Sequence, residues 1–147
     1  MKLGYLDTLK TFNNLQGHIY YFHKSGFSKM LKEYSLEMIY GLESAAKIYK
    51  MDKYKIYKYD EFMTELLEKH KEAKLKYLKL KSKFVPKIII TEFKDILPII
   101  NKGLGICFFE DILKEYSNNN KLINNIFSDY INSAKAIIDL EYNYKQI

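Results

Sequence analysis

Between Asp60 and Phe84 a single stripe recurs at α-helical spacing: Phe62, Leu66, His70, Ala73, Tyr77, Leu80 and Phe84. Steps of three and four residues keep that face inward for about six turns, a length that only a helix sustains. Asp60 stands where an N-cap is expected. Glu65 with Lys69 and Glu72 with Lys76 are favourable i,i+4 pairs. Acids gather toward the start and lysines toward the end, as the helix dipole prefers, and Val85-Pro86 stops the run. One apolar face this long has to be covered by other elements.

The rest of the chain offers further helical runs. From Leu6 to Phe22 the stripe is Leu6, Leu9, Phe12, Leu15, Ile19, Phe22, with Asp7 near the start. From Phe27 to Tyr49 it is Phe27, Met30/Leu31, Tyr34, Met38, Gly41/Leu42, Ala45, Tyr49, opened by Ser25-Gly26. Its small residues Gly41, Ala45 and Ala46 allow a close neighbour. From Lys121 to Tyr144 it is Ile123, Ile126/Phe127, Tyr130, Ala134, Ile137, Leu140/Glu141, Tyr144, entered from a Ser117–Asn120 loop with Asn120 as N-cap.

Between these runs, Ile88-Ile89-Ile90 suits a short strand or a buried helix entry. Thr91 suits the cap of a helix from Glu92, which Pro98 would break or kink. Lys102-Gly103-Leu104-Gly105 is a helix stop, and Ile106 to Tyr116 reads as a short, very apolar buried helix. The sequence thus predicts an all-α fold: a compact bundle of four long helices plus one or two short ones, with residues 1–147 as one domain. Phe27–Ser35 matches Phe109–Ser117 at six of nine positions, and Ser44-Ala45 and Ser133-Ala134 continue the match. A duplicated helical hairpin or the skewed composition accounts for it.

Charge narrows the function classes. The 24 basic residues are all lysine, against 18 acids, for a net charge of +6. Codon bias of an AT-rich genome explains an arginine-free chain rich in Lys, Asn, Ile and Tyr. The consequence is physical: no planar fork exists for bidentate recognition of phosphate or guanine. From Ala73 to Thr91, Lys74, Lys76, Lys79, Lys81, Lys83 and Lys87 stand with no acid among them, and this block equals the whole net charge. It reads as a solvated helix end or as a surface for an anionic partner. Lys53, Tyr54, Lys55, Tyr57 and Lys58 interleave cations with aromatic rings, a pattern that suits stacking on single-stranded bases or a connector packed on the bundle.

Little points to catalysis. The chain has no P-loop, no dinucleotide-binding glycine motif and no nucleophile motif. Cys107 is the one cysteine, which excludes an internal disulfide and a cysteine-built zinc site; among Ile106, Phe108 and Phe109 it reads as a buried, inert thiol. No glutamate precedes a histidine by three residues, so the Glu-x-x-His signature of ferritin-like di-metal sites is absent. His18 and His23 do not share a helix face, and His70 reads as a packed residue without a ligand partner. No catalytic residue, metal or cofactor is expected. No apolar run nears the ~20 residues needed to span a bilayer, and Met1–Asp7 lacks the apolar core of a signal peptide.

The stretch from Glu92 to Leu104, with Leu-Pro-x-Ile, then Gly-Leu, then a Phe-containing helix, resembles part of the small α-helical subunit of type III CRISPR effector complexes. Continued through Gly105-Ile106 it also resembles part of the effector-binding lobe of LysR-type regulators. The two imply incompatible folds, and no residue role is carried over from either. The expected function is that of a small, non-catalytic, cytoplasmic interaction module: an adaptor, inhibitor or complex subunit that binds a protein partner. The alternative is a lysine-driven small subunit of a nucleoprotein complex that binds RNA or single-stranded DNA. Self-association into a homo-oligomer stays open.

Overall fold

The computed structural model describes residues 2–12, 15–82, 93–115 and 126–144. The elements follow in the order α1 (Lys2–Thr11), β1 (Leu15–Gln16), β2 (Tyr21–His23), α2 (Lys24–Glu33), α3 (Leu36–Ile48), β3 (Ile56–Tyr57), α4 (Tyr59–Lys81), α5 (Phe93–Asn101), α6 (Gly105–Glu115) and α7 (Ser128–Tyr144). The fold is mostly helical, a bundle with short helices beside long ones, as the periodicity predicts, with a small three-stranded sheet added.

The α4 stripe is inward as expected: Phe62, Leu66, His70, Ala73 and Tyr77 are all buried, and Leu80 is half-buried. The cap differs by two residues. Lys58 occupies the N-cap without a side-chain bond, and Asp60 and Glu61 place their charges in the first turn, where the dipole favours them. Phe84, Val85 and Pro86, with Ile88–Ile90, Thr91 and Asn120, lie outside the described residues.

Two expected helices are corrected. The run from Leu6 to Phe22 is helical only to Thr11, and β1 and β2 then form an antiparallel pair with Leu15 opposite His23 and Gln16 opposite Phe22. The cause is a turn that helical geometry forbids. Gly17 has φ +117°, and a Cβ there would stand 2.2 Å from the Tyr20 carbonyl oxygen, so only glycine fits. The Glu43 carboxylate, buried on α3, accepts hydrogen bonds from the His18, Ile19 and Tyr20 amides at 2.9–3.0 Å. This supplies the partners that a helix would otherwise give those groups.

The run from Phe27 to Tyr49 is likewise two helices. Tyr34 is extended, and the Ser35 Oγ accepts from the Met38 amide at 3.2 Å as the N-cap of α3. Pro98 lies inside α5 and does not end it. α5 ends at the expected stop: Gly103 has φ +73°, Leu104 N–H donates to Ile99 O and Gly103 N–H to Ile100 O, a Schellman arrangement.

β2 is the central strand, paired in parallel with β3 through Tyr21 opposite Ile56 and Phe22 opposite Tyr57. Behind it, Phe62 packs edge-on to Tyr20, Phe22 and Tyr57 at centroid distances of 5.6, 4.9 and 5.4 Å. Across the molecule α3 lies against α7, where a Cβ on Gly41 would come within 2.7 Å of the Ala136 Cβ. Ala45 and Ala134 are fully buried on these two helices. Ala45→Leu or Ala134→Leu is expected to cost about 1–3 kcal/mol by overpacking, read as a lower denaturant midpoint; unchanged midpoints for both would contradict this packing. The matched segments from Phe27 and Phe109 fall on α2 and α6, and both phenylalanines are buried.

Candidate functional site

Two groups of polar side chains stand apart from ordinary surface, and both are built on the C-terminal half of α4. The first faces outward. Of the six lysines in the basic block, Lys83 and Lys87 lie outside the described residues. Lys74 pairs with Glu141 on α7 at 3.2 Å; burial opposes its charge, but Glu110 and Glu141 more than offset this and raise its pKa. Lys81 bonds Asp111 on α6 at 2.7 Å, and Tyr77 Oη donates to the same carboxylate at 2.9 Å. These two lysines therefore tie α4 to its neighbours.

Lys76 and Lys79 are exposed and have no ion-pair partner among the described residues. With Lys102, from the end of α5, they surround a cleft of about 320 Å³ whose remaining lining among the described residues is Leu80 and Leu104. Lys102 was not among the sequence candidates, because only the α5 stop brings it beside α4. Leu75 and Leu78, on the same turns as Lys76 and Lys79, are 56% and 52% exposed.

The Lys53–Tyr59 segment is arranged otherwise. Tyr57 is fully buried in the aromatic core, so its ring cannot stack on a base. Lys55 bonds Glu61 at 3.0 Å and Glu65 at 3.1 Å, and the Glu61 bond leads the effects that raise its pKa. Tyr54 and Lys58 are exposed and Lys53 is half-buried. Lys58 precedes α4 and Lys76 lies 18 residues further on, about 27 Å along the helix axis at the usual rise. The two lysine groups do not form one stripe.

The second group is buried. His70 of α4, Cys107 and Glu110 of α6 bring one donor atom each within 4.8 Å of one another. His70 Nδ1 is 2.7 Å from Tyr49 Oη of the α3 C-cap, and burial, with the Cys107 thiol nearby, raises the Tyr49 pKa. His70 Nε2 lies 3.3 Å from Glu110 Oε2 and 3.5 Å from Glu141 Oε1. Neither contact satisfies it: Nε2 and Glu110 Oε1 are buried without a hydrogen-bond partner. The Lys114 ammonium, 3.8 Å from Glu110 Oε1, is too distant to supply one.

Burial dominates the electrostatics here. It lowers the His70 pKa to about 4, raises Glu110 to about 7 and the Cys107 thiol to about 12. Burial likewise raises the pKa of Glu141, but the Lys74 hydrogen bond and the neighbouring positive charges prevail and it is lowered. His70 is packed on its stripe, as expected, but the neighbouring helices present a thiol and two carboxylates to it. Cys107 is buried as expected.

None of this was visible in the sequence, where Tyr49, His70, Cys107, Glu110 and Glu141 are spread over four helical segments. The available signal was weak: Cys107 and Glu110 are three apart on the inward face of α6, and a glutamate on an apolar face needs a partner. Among the described residues no helix is long and apolar enough to cross a membrane. No protein-family model matches the chain, and neither the curated proteins nor the solved structures give a significant match.

Proposed function

We propose that this chain is a non-catalytic interaction module that captures an acidic protein segment at the cleft between α4 and α5. The observation that carries the reading is the pairing of three lysines with an apolar floor. Lys76, Lys79 and Lys102 surround Leu80 and Leu104, with Leu75 and Leu78 exposed beside them. A partner segment that alternates carboxylates with an apolar side chain satisfies both halves of this surface. A nucleic-acid backbone satisfies only the charges. Base stacking would need exposed rings near the cations, and Tyr54, the exposed ring of the Lys53–Tyr59 segment, belongs to the far end of α4. Lys58, at that end, is about 27 Å from Lys76 along the helix axis, well beyond the ~8–10 Å over which exposed charges cooperate in physiological salt.

The test uses calorimetric titration with two probes, a peptide of repeating Glu-Glu-Leu and an oligothymidylate of equal charge. The peptide is expected to bind more tightly. Lys76→Gln, Lys79→Gln and Lys102→Gln together should weaken it at least tenfold, while the control set Lys32→Gln, Lys47→Gln and Lys135→Gln should not. The melting temperature should hardly change, because exposed charges contribute little to stability. Tighter binding of the oligonucleotide would favour the RNA or single-stranded DNA reading, if its slope of log K against log salt shrank by about 2 in the first triple variant.

A further inference from the structure

We propose that His70, Cys107 and Glu110 hold a zinc-type divalent ion at the centre of the bundle, with Glu141 beside the imidazole. The argument is geometric. Hydrogen-bonded nitrogen and oxygen atoms stand about 2.7–3.2 Å apart. Two ligands of one tetrahedral ion stand farther apart, by about 1.63 bond lengths. For zinc, with bonds of about 2.0–2.1 Å to nitrogen and oxygen, that edge is about 3.3–3.4 Å. His70 Nε2 lies 3.3 Å from Glu110 Oε2 and 3.5 Å from Glu141 Oε1, and it makes no hydrogen bond. The His70–Glu110 separation is that of atoms that share an ion, not of atoms that share a proton; the donors of the set lie within 4.8 Å of one another, so the widest pair would close in on the ion.

The surroundings fit the same chemistry. Three donors of mixed type, imidazole nitrogen, thiolate sulfur and carboxylate oxygen, converge within 4.8 Å on fully buried side chains. This donor mix selects zinc or its analogues over magnesium or calcium, which prefer oxygen throughout. Glu110 Oε1 is a second buried polar atom without a hydrogen-bond partner, a cost that a cation in the cluster removes. The outer partners are those of a ligand set held in orientation. Tyr49 Oη fixes the imidazole ring through Nδ1 at 2.7 Å, and the Lys74 ammonium holds Glu141 at 3.2 Å. All three donors are buried away from solvent and from the lysine cleft, so the ion's role is to hold helices together. It pins α4 to α6, independently of what the lysine cleft binds.

Cobalt(II) is the decisive probe, because Cys107 is the chain's one thiol. The full chain, stripped with chelator, is titrated with Co²⁺ and followed by absorption. One equivalent is expected to bind with a sulfur-to-cobalt charge-transfer band and the visible bands of tetrahedral coordination. Zn²⁺ should displace it and raise the melting temperature. Cys107→Ser should abolish the charge-transfer band, and Glu110→Gln should weaken affinity at least 100-fold, while His18→Gln leaves both unchanged. The band in the parent is diagnostic without any variant, so a misfolded Cys107→Ser does not rescue or sink the proposal. Absence of stoichiometric binding, or binding without the sulfur band, overturns it.

Discussion

Glu43→Ala is expected to lower the unfolding free energy by about 3–5 kcal/mol, one of the largest effects of any single substitution in this chain. The carboxylate is fully buried and accepts from three consecutive backbone amides, those of His18, Ile19 and Tyr20, at 2.9–3.0 Å. Truncation leaves those N–H groups facing a void, and each unsatisfied buried donor costs about 1–3 kcal/mol. Water entering the void recovers part of that, which brings the sum down to the stated range. Glu43→Gln should lose less, about 1–2 kcal/mol. Its amide oxygen can take the place of Oε1, which receives all three bonds, but its NH₂ must face the His18 amide that also donates to Oε2 at 3.0 Å. The ordering Glu, Gln, Ala in urea midpoint, with an unchanged denaturant slope, checks the account. A loss below about 1 kcal/mol for alanine would mean that the carboxylate does not hold the turn.

Gly41→Leu is expected to cost about 3 kcal/mol, at the upper end for overpacking. A Cβ alone would meet the Asn132 carbonyl oxygen at 2.8 Å and the Ala136 Cβ at 2.7 Å. Neither is the far end of a flexible side chain, so relief requires α3 and α7 to separate along their length. Gly41→Ala should already destabilise the protein, although alanine is the better helix former. A Gly41→Ala variant as stable as the parent, by thermal melting, would place the two helices farther apart than described.

The parts of the fold that were legible in the sequence are those with long unbroken periodicity. α4 keeps its three-and-four spacing from Phe62 to Tyr77, and every residue of that stripe is buried, with Met63 beside it. The segment from Leu6 to Phe22 carries equally good helical spacing and yet contains two strands. Strands of two and three residues are too short to show alternation, and the deciding events are Gly17 at positive φ and a carboxylate 23 to 25 residues away. Local periodicity cannot report a partner that tertiary packing supplies. The Ser35 cap between α2 and α3 had a local signal, a serine just ahead of an apolar run, but an uninterrupted stripe through Tyr34 and Met38 concealed it.

The candidate sites divide in the same way. Lys76 and Lys79 were readable as a basic face, since exposure follows from the position of the stripe. That Lys74 and Lys81 are neutralised by Glu141 and Asp111 was not readable, because both acids belong to other helices. The buried cluster was the least legible feature. Its members are chemically ordinary one by one, and only the crossing of α4, α6 and α7 makes them a set.

The anchorage of α1 has a consequence for how the molecule opens. Leu6 of this helix joins Leu15 and Tyr21 in a small apolar cluster separate from the main core, with Leu9 and Ile56 at its edge, and Tyr21 Oη donates to Asp7. Tyr5 and Phe12 leave 63% and 72% of their surface in water. Among the described residues, release of α1 therefore breaks one tertiary side-chain hydrogen bond and uncovers a few side chains, while the Glu43-bound turn, the aromatic core and the α3–α7 contact stay closed. The helix is expected to open as its own cooperative unit, at a free energy far below that of global unfolding. In hydrogen exchange its amides should exchange by detachment, well before those of α3, which should exchange only when the bundle comes apart.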